Sequence, residues 1–397
     1  MKHRLLDLLA CPECAAHPLE MTVIATGKTA PAPIQGTRCT SYCSLQKQRI
    51  EPGETVERGC GDCYREEIQT AILHCAECGQ EYPVIGGVPR FVPDVYDDFP
   101  EFPKENAKYF RKPPKQASAE FQTLHRSTKS SFGFQWLRYR VTDHQENRDH
   151  LFRRTAETPG TLGGKLFFEA GCGMGRYLKV FSDEPGAEVV GLDLSLAVNR
   201  AYEENKANPL IHVVQGNIMQ LPLRPGTIDH VYSIGVLHHT PSTEQACHSV
   251  VKLLKPGGRM SVWLYHVWCP PGLTGFAAMH AKLKGAITDA LRVVTTRLPH
   301  SVLHYLCYLA VPMGWIQAKV WAAPLPIKIL FSPLVLVHMS SHESADVRLL
   351  DTFDWYSPQY QWKHTVAEVE GWFMEMGLVQ LNSEGFPVSV RGRKPQA

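Results

Sequence analysis

The sequence predicts an α/β fold: a parallel sheet with helices on both faces, a small cysteine-rich unit ahead of it and a helical insertion late in the chain. Three observations carry this. From about residue 165 to 265, short apolar runs alternate with helical patterns, the order expected of βα units, which bind ligands at the carboxyl ends of their strands. One such run, Leu166-Phe167-Phe168, leads into Glu169-Ala170-Gly171-Cys172-Gly173-Met174-Gly175-Arg176, and a helix start follows at Tyr177-Leu178-Lys179-Val180-Phe181. The glycines let the backbone turn tightly and approach a ligand where a Cβ would clash. A second acid, Asp193, closes the next run, Val189-Val190-Gly191-Leu192-Asp193, about 20 residues on, the spacing at which a carboxylate reaches ribose hydroxyls.

Taken in chain order, the first element is the cysteine-rich unit. Of 12 cysteines, eight fall before residue 80, as the pairs Cys11/Cys14, Cys39/Cys43, Cys60/Cys63 and Cys75/Cys78. Residues 1–10 form a short amphipathic segment broken by Asp7 rather than a signal peptide, so the chain is expected in the cytoplasm, where paired cysteines read as zinc ligands and not disulfides. Two thiolates two residues apart can face one tetrahedral ion, and two such pairs complete it. The outer pairs predict one closed, structural site. The inner pairs, separated by 16 residues, predict a second, nested one. The remaining cysteines, Cys172, Cys247, Cys269 and Cys307, are scattered and read as free thiols. The segments Leu8-Leu9-Ala10-Cys11-Pro12-Glu13-Cys14, Leu73-His74-Cys75-Ala76-Glu77-Cys78-Gly79 and Glu81-Tyr82-Pro83-Val84-Ile85-Gly86-Gly87-Val88-Pro89-Arg90-Phe91 resemble the Trm112-like zinc domain, a small zinc ribbon that partners methyltransferases. The resemblance implies such a domain over residues 1–92.

A Pro- and charge-rich stretch from Pro93 to about Pro114 reads as linker or arm, taken to span residues 93–130. The aromatic cluster Ser131-Phe132-Gly133-Phe134-Gln135-Trp136-Leu137-Arg138-Tyr139 follows, ahead of a helical pattern, and suits packing on the core or a lid over a ligand. The core is expected over residues 131–265. Residues 266–350 are the insertion: its apolar runs are broken by Pro312, Pro324, Pro326, Pro333, Lys319 and Lys328, too short for a membrane span. They fit a helical cap on the core, an apolar substrate tunnel or a peripheral membrane contact. Residues 351–397 complete the core, with an amphipathic helix at Thr365-Val366-Ala367-Glu368-Val369-Glu370-Gly371-Trp372-Phe373-Met374-Glu375-Met376 stopped by Gly377, and strands near residues 378–381 and 387–390.

The glycine pattern is E-x-G-x-G-x-G, not the G-x-G-x-x-G of a dinucleotide site, and it lacks the Gly-Lys-Ser/Thr ending of a phosphate loop. With Gly191-Leu192-Asp193-Leu194-Ser195, Gln215-Gly216-Asn217-Ile218-Met219-Gln220-Leu221-Pro222, Ile228-Asp229-His230-Val231-Tyr232-Ser233-Ile234-Gly235-Val236-Leu237-His238-His239 and Leu253-Leu254-Lys255-Pro256-Gly257-Gly258-Arg259, it resembles the ordered motifs of class I S-adenosylmethionine (SAM) methyltransferases. The resemblance implies a Rossmann-like sheet and SAM as cofactor. Glu169, Gly171, Gly173 and Gly175 would hold its methionine end, Asp193 and Leu194 the ribose side, Asn217 and Ile218 the adenine, with Ser233 beside them. Asn217 departs from the Asp usual in that family, but its amide oxygen can still accept from the adenine amine. A nicotinamide-binding protein is the alternative.

The fourth-strand exit lacks the Asn/Asp-Pro-Pro-Tyr/Phe segment of base-methylating enzymes and resembles that of enzymes acting on small molecules and quinones. His238 is the candidate base there, with His239 expected to bond backbone at the following turn. A second candidate cluster is Phe353-Asp354-Trp355-Tyr356-Ser357-Pro358-Gln359-Tyr360-Gln361-Trp362-Lys363-His364, from which Tyr360 and His364 are taken as catalytic. The favoured acceptor is a small, apolar or lipid-like metabolite. RNA is the alternative, opposed by a formal net charge of only +2, and a non-catalytic activator of another methyltransferase is the third reading. The oligomeric state is left open.

Overall fold

The computed structural model describes residues 1–28, 38–51, 60–113, 118–139, 143–384 and 388–396. The N-terminal unit comprises β1 (Glu20–Lys28), β2 (Tyr42–Cys43), β3 (Gln48–Arg49), α1 (Cys60–Arg65), β4 (Glu66–His74), β5 (Glu81–Ile85) and β6 (Val88–Pro89). Strands β1, β4, β5 and β6 form an antiparallel sheet in that order, and β2 pairs with β3.

Four helices lead to the core: α2 (Val95–Asp98), α3 (Phe102–Glu105), α4 (Ala119–Arg138) and α5 (His144–Thr155). The aromatic cluster is therefore not ahead of a helix but forms the second half of α4, inside the stretch expected as linker on one side and core on the other. The Ser118 hydroxyl oxygen accepts from the Phe121 amide at 3.1 Å and starts the helix well before the aromatics. The polar residues between Gln122 and Ser131 hide its period. Pro114 and Pro387 lie outside the described residues.

The core follows as β7 (Leu166–Ala170), β8 (Glu188–Asp193), α6 (Ala197–Asn205), β9 (Ile211–Gln215), β10 (Ile228–Ile234), α7 (Thr243–Val251) and β11 (Leu254–Leu264). After the insertion helices α8 (Gly275–Thr295), α9 (His300–Cys307), α10 (Ala310–Ala322) and α11 (Leu325–Leu330) come α12 (Ala345–Tyr356), α13 (Val366–Glu375), β12 (Val379–Glu384) and β13 (Val388–Arg393). The boundary placed at residue 350 falls inside α12, whose Leu349, Leu350 and Phe353 pack with Leu303 and Cys307 of α9 in one cluster. Insertion and core share a helix. Helix α13 is stopped at Gly377 (φ +75°), as the sequence predicts, and Thr365 with Glu368 forms a capping box at its start.

Among the described residues, the central sheet has the strand order β12-β13-β11-β10-β7-β8-β9; β7 to β11 run parallel, and β13 is antiparallel to both β11 and β12. Strand periodicity assigns the two faces. Leu166, Phe168 and Ala170 of β7 enter a cluster with Val250 of α7 and Phe373 of α13, whereas Phe167 between them enters another with Phe152 of α5 and Ala201 of α6. Helices therefore cover both faces. The segment after the glycine turn is a 3-10 helix, Leu178–Asp183, rather than the α-helix expected; Pro185 and Gly186 end it too early for a full helix.

The N-terminal unit does not hang from the core. Leu5, Leu6, Leu9, Leu73 and Phe91 belong to the same apolar cluster as Phe168, Leu192 and Val214. The Phe91 amide donates to the Gln215 carbonyl at 2.7 Å, continuing the sheet beyond its edge strand β9, and Leu9 bridges Leu223. Buried Arg4 donates to Glu188 at 3.0 Å and to Asp7 at 2.5 Å, and His212 lies 2.9 Å from the same Glu188 carboxylate.

Candidate active site

The parallel strands end together at a cleft. Glu169, on the last turn of β7 before the glycines, is 2% exposed and accepts from the Tyr232 hydroxyl at 3.2 Å. Burial pushes its carboxyl up to about 8. Asp193, at the end of β8, takes the Gly173 amide at 2.9 Å on Oδ2, and the Ser195 amide and hydroxyl at 2.8 and 2.7 Å on Oδ1. Burial raises this carboxyl as well, against those donors. The second acid thus holds the glycine turn in place besides facing the cleft. Glycine is required at 171: its φ is +86°, and a Cβ there would stand 2.3 Å from Val236 Cγ1. At 175 (φ +83°) a Cβ would meet Ala201 of α6 at 3.1 Å, so the turn could not seat against that helix.

Two cavities meet at this turn. One, of ≈ 160 Å³, is lined by Glu169, Gly171, Gly173, Arg176 and Asp193 and roofed by Phe132, Gln135 and Trp136 of α4. The other, of ≈ 60 Å³, is lined by Asp193, Leu194, Asn217, Ile218, His125 and Phe132. Gly171, Asp193, Phe132 and Val236 border both, so one elongated ligand can pass from the buried acid to the apolar shelf of Leu194 and Ile218. The residues fit the expected cofactor. Glu169 is buried with no cation in ion-pair contact among the described residues, which suits the cationic methionine end, while Asp193 can accept from ribose hydroxyls.

A third and much larger cavity, ≈ 930 Å³, lies between the insertion helices and the exit of β11. Its wall is mostly apolar and aromatic. It shares Trp263, Tyr265, Asp351 and Asp354 with the first cavity, so the two spaces adjoin along these side chains. Asp354 accepts from the Tyr265 hydroxyl at 2.6 Å and from the Gln135 amide at 3.1 Å. Asp351 Oδ2 accepts from the Ser340 hydroxyl at 2.9 Å, and burial pushes its carboxyl up to about 6.

In the N-terminal unit, the turns at Cys11-Pro12-Glu13-Cys14 and Cys75-Ala76-Glu77-Cys78 face each other. The four sulfurs lie within 4.8 Å of one another, with Cys11 and Cys78 at 3.6 Å and Cys14 and Cys75 at 3.5 Å. A tetrahedral zinc with bonds of about 2.3 Å sets its sulfurs about 3.8 Å apart. The cluster could hold zinc as a closed structural site.

Residues 168–262 match the family model described as a methyltransferase domain, and residues 2–87 match that of Trm112p-like protein. One chain carries both. Among curated proteins, 24-methylenesterol C-methyltransferase 2 of Arabidopsis thaliana is 32% identical over 109 residues, covering 26% of this chain and 29% of that protein. Demethylmenaquinone methyltransferase of Lactococcus lactis is 34% identical over 113 residues, covering 27% of this chain and 44% of that one. This chain thus spans less than half the length of either relative. Among solved structures, the complex between the Haloferax volcanii Trm112 methyltransferase activator and a methyltransferase aligns at 15% identity and a TM-score of 0.36, over 71% of this chain and 100% of that one.

Within the methyltransferase domain, Glu169, Gly171, Gly173, Asp193, Leu194, Asn217 and Ile218 all line the cleft. Gly175 does not line it and serves the packing of the turn. Ser233 does not reach it either: its hydroxyl donates to the Ala170 carbonyl at 2.8 Å and ties β10 to β7.

The structure does not bring the catalytic candidates His238, Tyr360 and His364 to any of the three cavities. His238 is fully buried beneath Tyr265, ring centroids 4.0 Å apart, and desolvation keeps its imidazole neutral well below its usual range. Tyr360 points along Trp362, and its carbonyl takes the His239 ring nitrogen at 2.8 Å. That carbonyl is far along the chain, not in the local turn expected for His239. His364 bonds the Thr243 hydroxyl at 2.9 Å, fixing α13 to α7. The residues missed are Asp351 and Tyr265. Asp351 and Asp354 stand three apart on α12, one helical face, and that spacing was the available signal.

In the Trm112p-like segment, the inner cysteines do not match the outer set. Cys39, Cys43, Cys60 and Cys63 are neighbours, and burial with the three other thiols pushes Cys63 up to about 12. Among the described residues, though, they do not form a group close enough to share one ion. The two-residue ladder of β2 and the short α1 hold the pairs on separate elements.

Proposed function

We propose that this chain is a SAM-dependent methyltransferase whose acceptor is a bulky apolar small molecule, held in the ≈ 930 Å³ cavity between the insertion and the core. One observation carries the reading: that cavity and the cofactor cleft adjoin at Trp263, Tyr265, Asp351 and Asp354. SAM, when bound, supplies a methyl group on a sulfonium, which needs positioning more than activation.

The protein's own residues supply the rest. Glu169 and the glycine turn would hold the methionine end, Asp193 the ribose, and Leu194, Asn217 and Ile218 the adenine. Phe132 and Trp136 exclude water from above. Asp351 Oδ1 carries no bond from Ser340 and is free to take a proton from the acceptor, and a carboxyl held near 6 is mostly ionised at neutral pH. Asp354 is pinned by Tyr265 and Gln135 and orients the wall. The mostly apolar and aromatic lining favours a lipid-like acceptor over RNA, whose polar backbone would gain little from such a wall. The names of the relatives, a sterol and a quinone methyltransferase, support the same class.

The test incubates the purified full chain with methyl-labelled SAM and a cell extract, then separates organic-soluble, RNA and protein fractions. Label in the organic fraction is expected, and its loss in Asp351→Asn would assign the proton acceptor. Label confined to RNA would overturn the acceptor class, and no SAM binding would leave the activator reading.

A further inference from the structure

The outer surface of the insertion is unlike the rest of the molecule. Among the described residues, 18 of the 23 large hydrophobic side chains that stand exposed lie between Leu273 and Phe331, with Tyr305, Leu309, Trp315 and Leu330 each more than half exposed. Helix α10 packs on α9 and on α11, and α12 contacts α8, α9 and α10, so the helices that carry these side chains gather in one region. Single exposed hydrophobics are ordinary on a protein surface, but a concentration on this scale marks an interaction site.

Charge indicates the partner. Between His266 and His342 the sequence has Lys282, Lys284, Arg292, Arg297, Lys319 and Lys328 but one acid, Asp289, a formal +5 within a chain of +2. The balance of the chain is therefore negative. Asp289 is already paired, with Lys363 at 3.1 Å. Among the described residues, Lys282, Arg297, Lys319 and Lys328 have no carboxylate partner. Apolar and aromatic side chains interspersed with unpaired cations are what the surface of an anionic bilayer binds: the hydrophobic groups enter the interface and the cations meet lipid phosphates. No described helix is long and apolar enough to cross a membrane. The large cavity opens on the same surface, since Leu273, Phe276 and Trp321 belong both to its wall and to the exposed set, and Lys284 and Lys328 stand in that wall too.

We propose that the insertion is a membrane-docking surface that seats the protein on an anionic phospholipid bilayer with the cavity mouth against the lipid. This goes beyond the proposed methyl transfer and does not rest on it, because docking requires neither cofactor nor acceptor.

The experiment is co-sedimentation of the full chain with phosphatidylcholine vesicles with and without phosphatidylglycerol. Binding is expected to the anionic vesicles, weakening as salt is raised. Leu309→Glu/Leu330→Glu should reduce binding by about tenfold or more. Lys282→Glu/Lys319→Glu should remove the preference for anionic lipid. None of these four residues lines the cavity or the cleft, so unchanged SAM affinity in each variant would show that the fold is intact. Protein left in the supernatant, or equal binding to neutral vesicles, would overturn the proposal. So would a dimer in sedimentation that Leu309→Glu/Leu330→Glu dissolves, which would make the patch an interface between copies of the chain.

Discussion

Replacing Arg4 with Met removes an arginine that bonds both Asp7 and Glu188, at the join of the N-terminal unit and the sheet. Glu188 is 2% exposed and Asp7 fully buried. Burial alone would push the Glu188 carboxyl up, but the charge of Arg4 and the bonds from His212 and Arg4 hold it at about 2 instead of 4.5. That difference is worth about 3 kcal/mol at neutral pH. Leaving a buried carboxylate wholly unpaired typically costs about 3–5 kcal/mol; Glu188 keeps His212 at 2.9 Å and Arg38 at 3.7 Å, so Arg4→Met should lose about 2–3 kcal/mol. The sign with pH is fixed. Wild-type Glu188 stabilises above 4.5 and loses that contribution as pH falls toward 2. In the variant His212 and Arg38 are left to oppose the effect of burial, so the folded value rises and the stabilising contribution shrinks. The gap between the two proteins should therefore be widest near neutrality and narrow as pH falls toward about 2, where wild-type Glu188 protonates. Equilibrium denaturation followed by tryptophan fluorescence and circular dichroism measures it. A loss under about 1 kcal/mol, as for a surface pair, or a gap that does not move with pH, would refute the reasoning.

Gly171→Ala places a Cβ against Val236 in a left-handed turn, and SAM affinity by calorimetry should fall by about 100-fold, to the point of no detectable heat. Asp351→Asn should lower label transfer by about 100-fold or more while leaving SAM affinity intact. In the wild type, transfer should fall about tenfold per pH unit below about 6, as the carboxyl protonates, and that limb should vanish in the variant. Metal analysis should find one zinc per chain, abolished by Cys14→Ser/Cys78→Ser and unchanged by Cys60→Ser/Cys63→Ser; two per chain would place an ion on the inner cysteines.

What could be read from the sequence follows the range of the interactions. The glycine turn, Asp193, Asn217 and the outer cysteine pairs are contiguous motifs whose chemistry is local, and the structure places them in the cleft and the cluster. The acceptor side is built from α12, β11 and the insertion, some 100 to 180 residues beyond Gly171, and only packing brings them to it. The segment around Asp354 was visible as a cluster of aromatics, but nothing local distinguishes a cavity-facing Asp351 from a His364 that bonds Thr243. His238 shows the same limit: its neighbourhood suggests a base, yet Tyr265, from the adjacent strand exit, covers it. Helix α4 went unrecognised for another reason, a polar surface with little period, so its aromatics became a roof only through contact with the glycine turn.

The N-terminal unit also reaches the cofactor cleft, through one buried side chain. The Arg90 guanidinium is 2% exposed and donates to the Gln215 side-chain oxygen at 2.7 Å and to Asn199 at 2.6 Å. Gln215, at the end of β9, passes the contact on: its amide donates to the Leu194 carbonyl at 3.1 Å, and Leu194 lines the shelf proposed for adenine. Two residues further along is Asn217. Arg90 is thus a positioning residue, linking the cysteine-rich unit to the two loops that flank one end of the cleft. Arg90→Ala leaves the buried Gln215 oxygen and the half-buried Asn199 oxygen without that donor, at about 1–3 kcal/mol of stability each at most. If the relay also sets the loops, SAM affinity should fall by roughly fivefold, about 1 kcal/mol, although Arg90 lines neither cofactor cavity. Arg90→Lys should not restore it, because one ammonium cannot make both bonds in the fork geometry. Reduced stability with unchanged SAM affinity would make Arg90 a joint between the two units and nothing more.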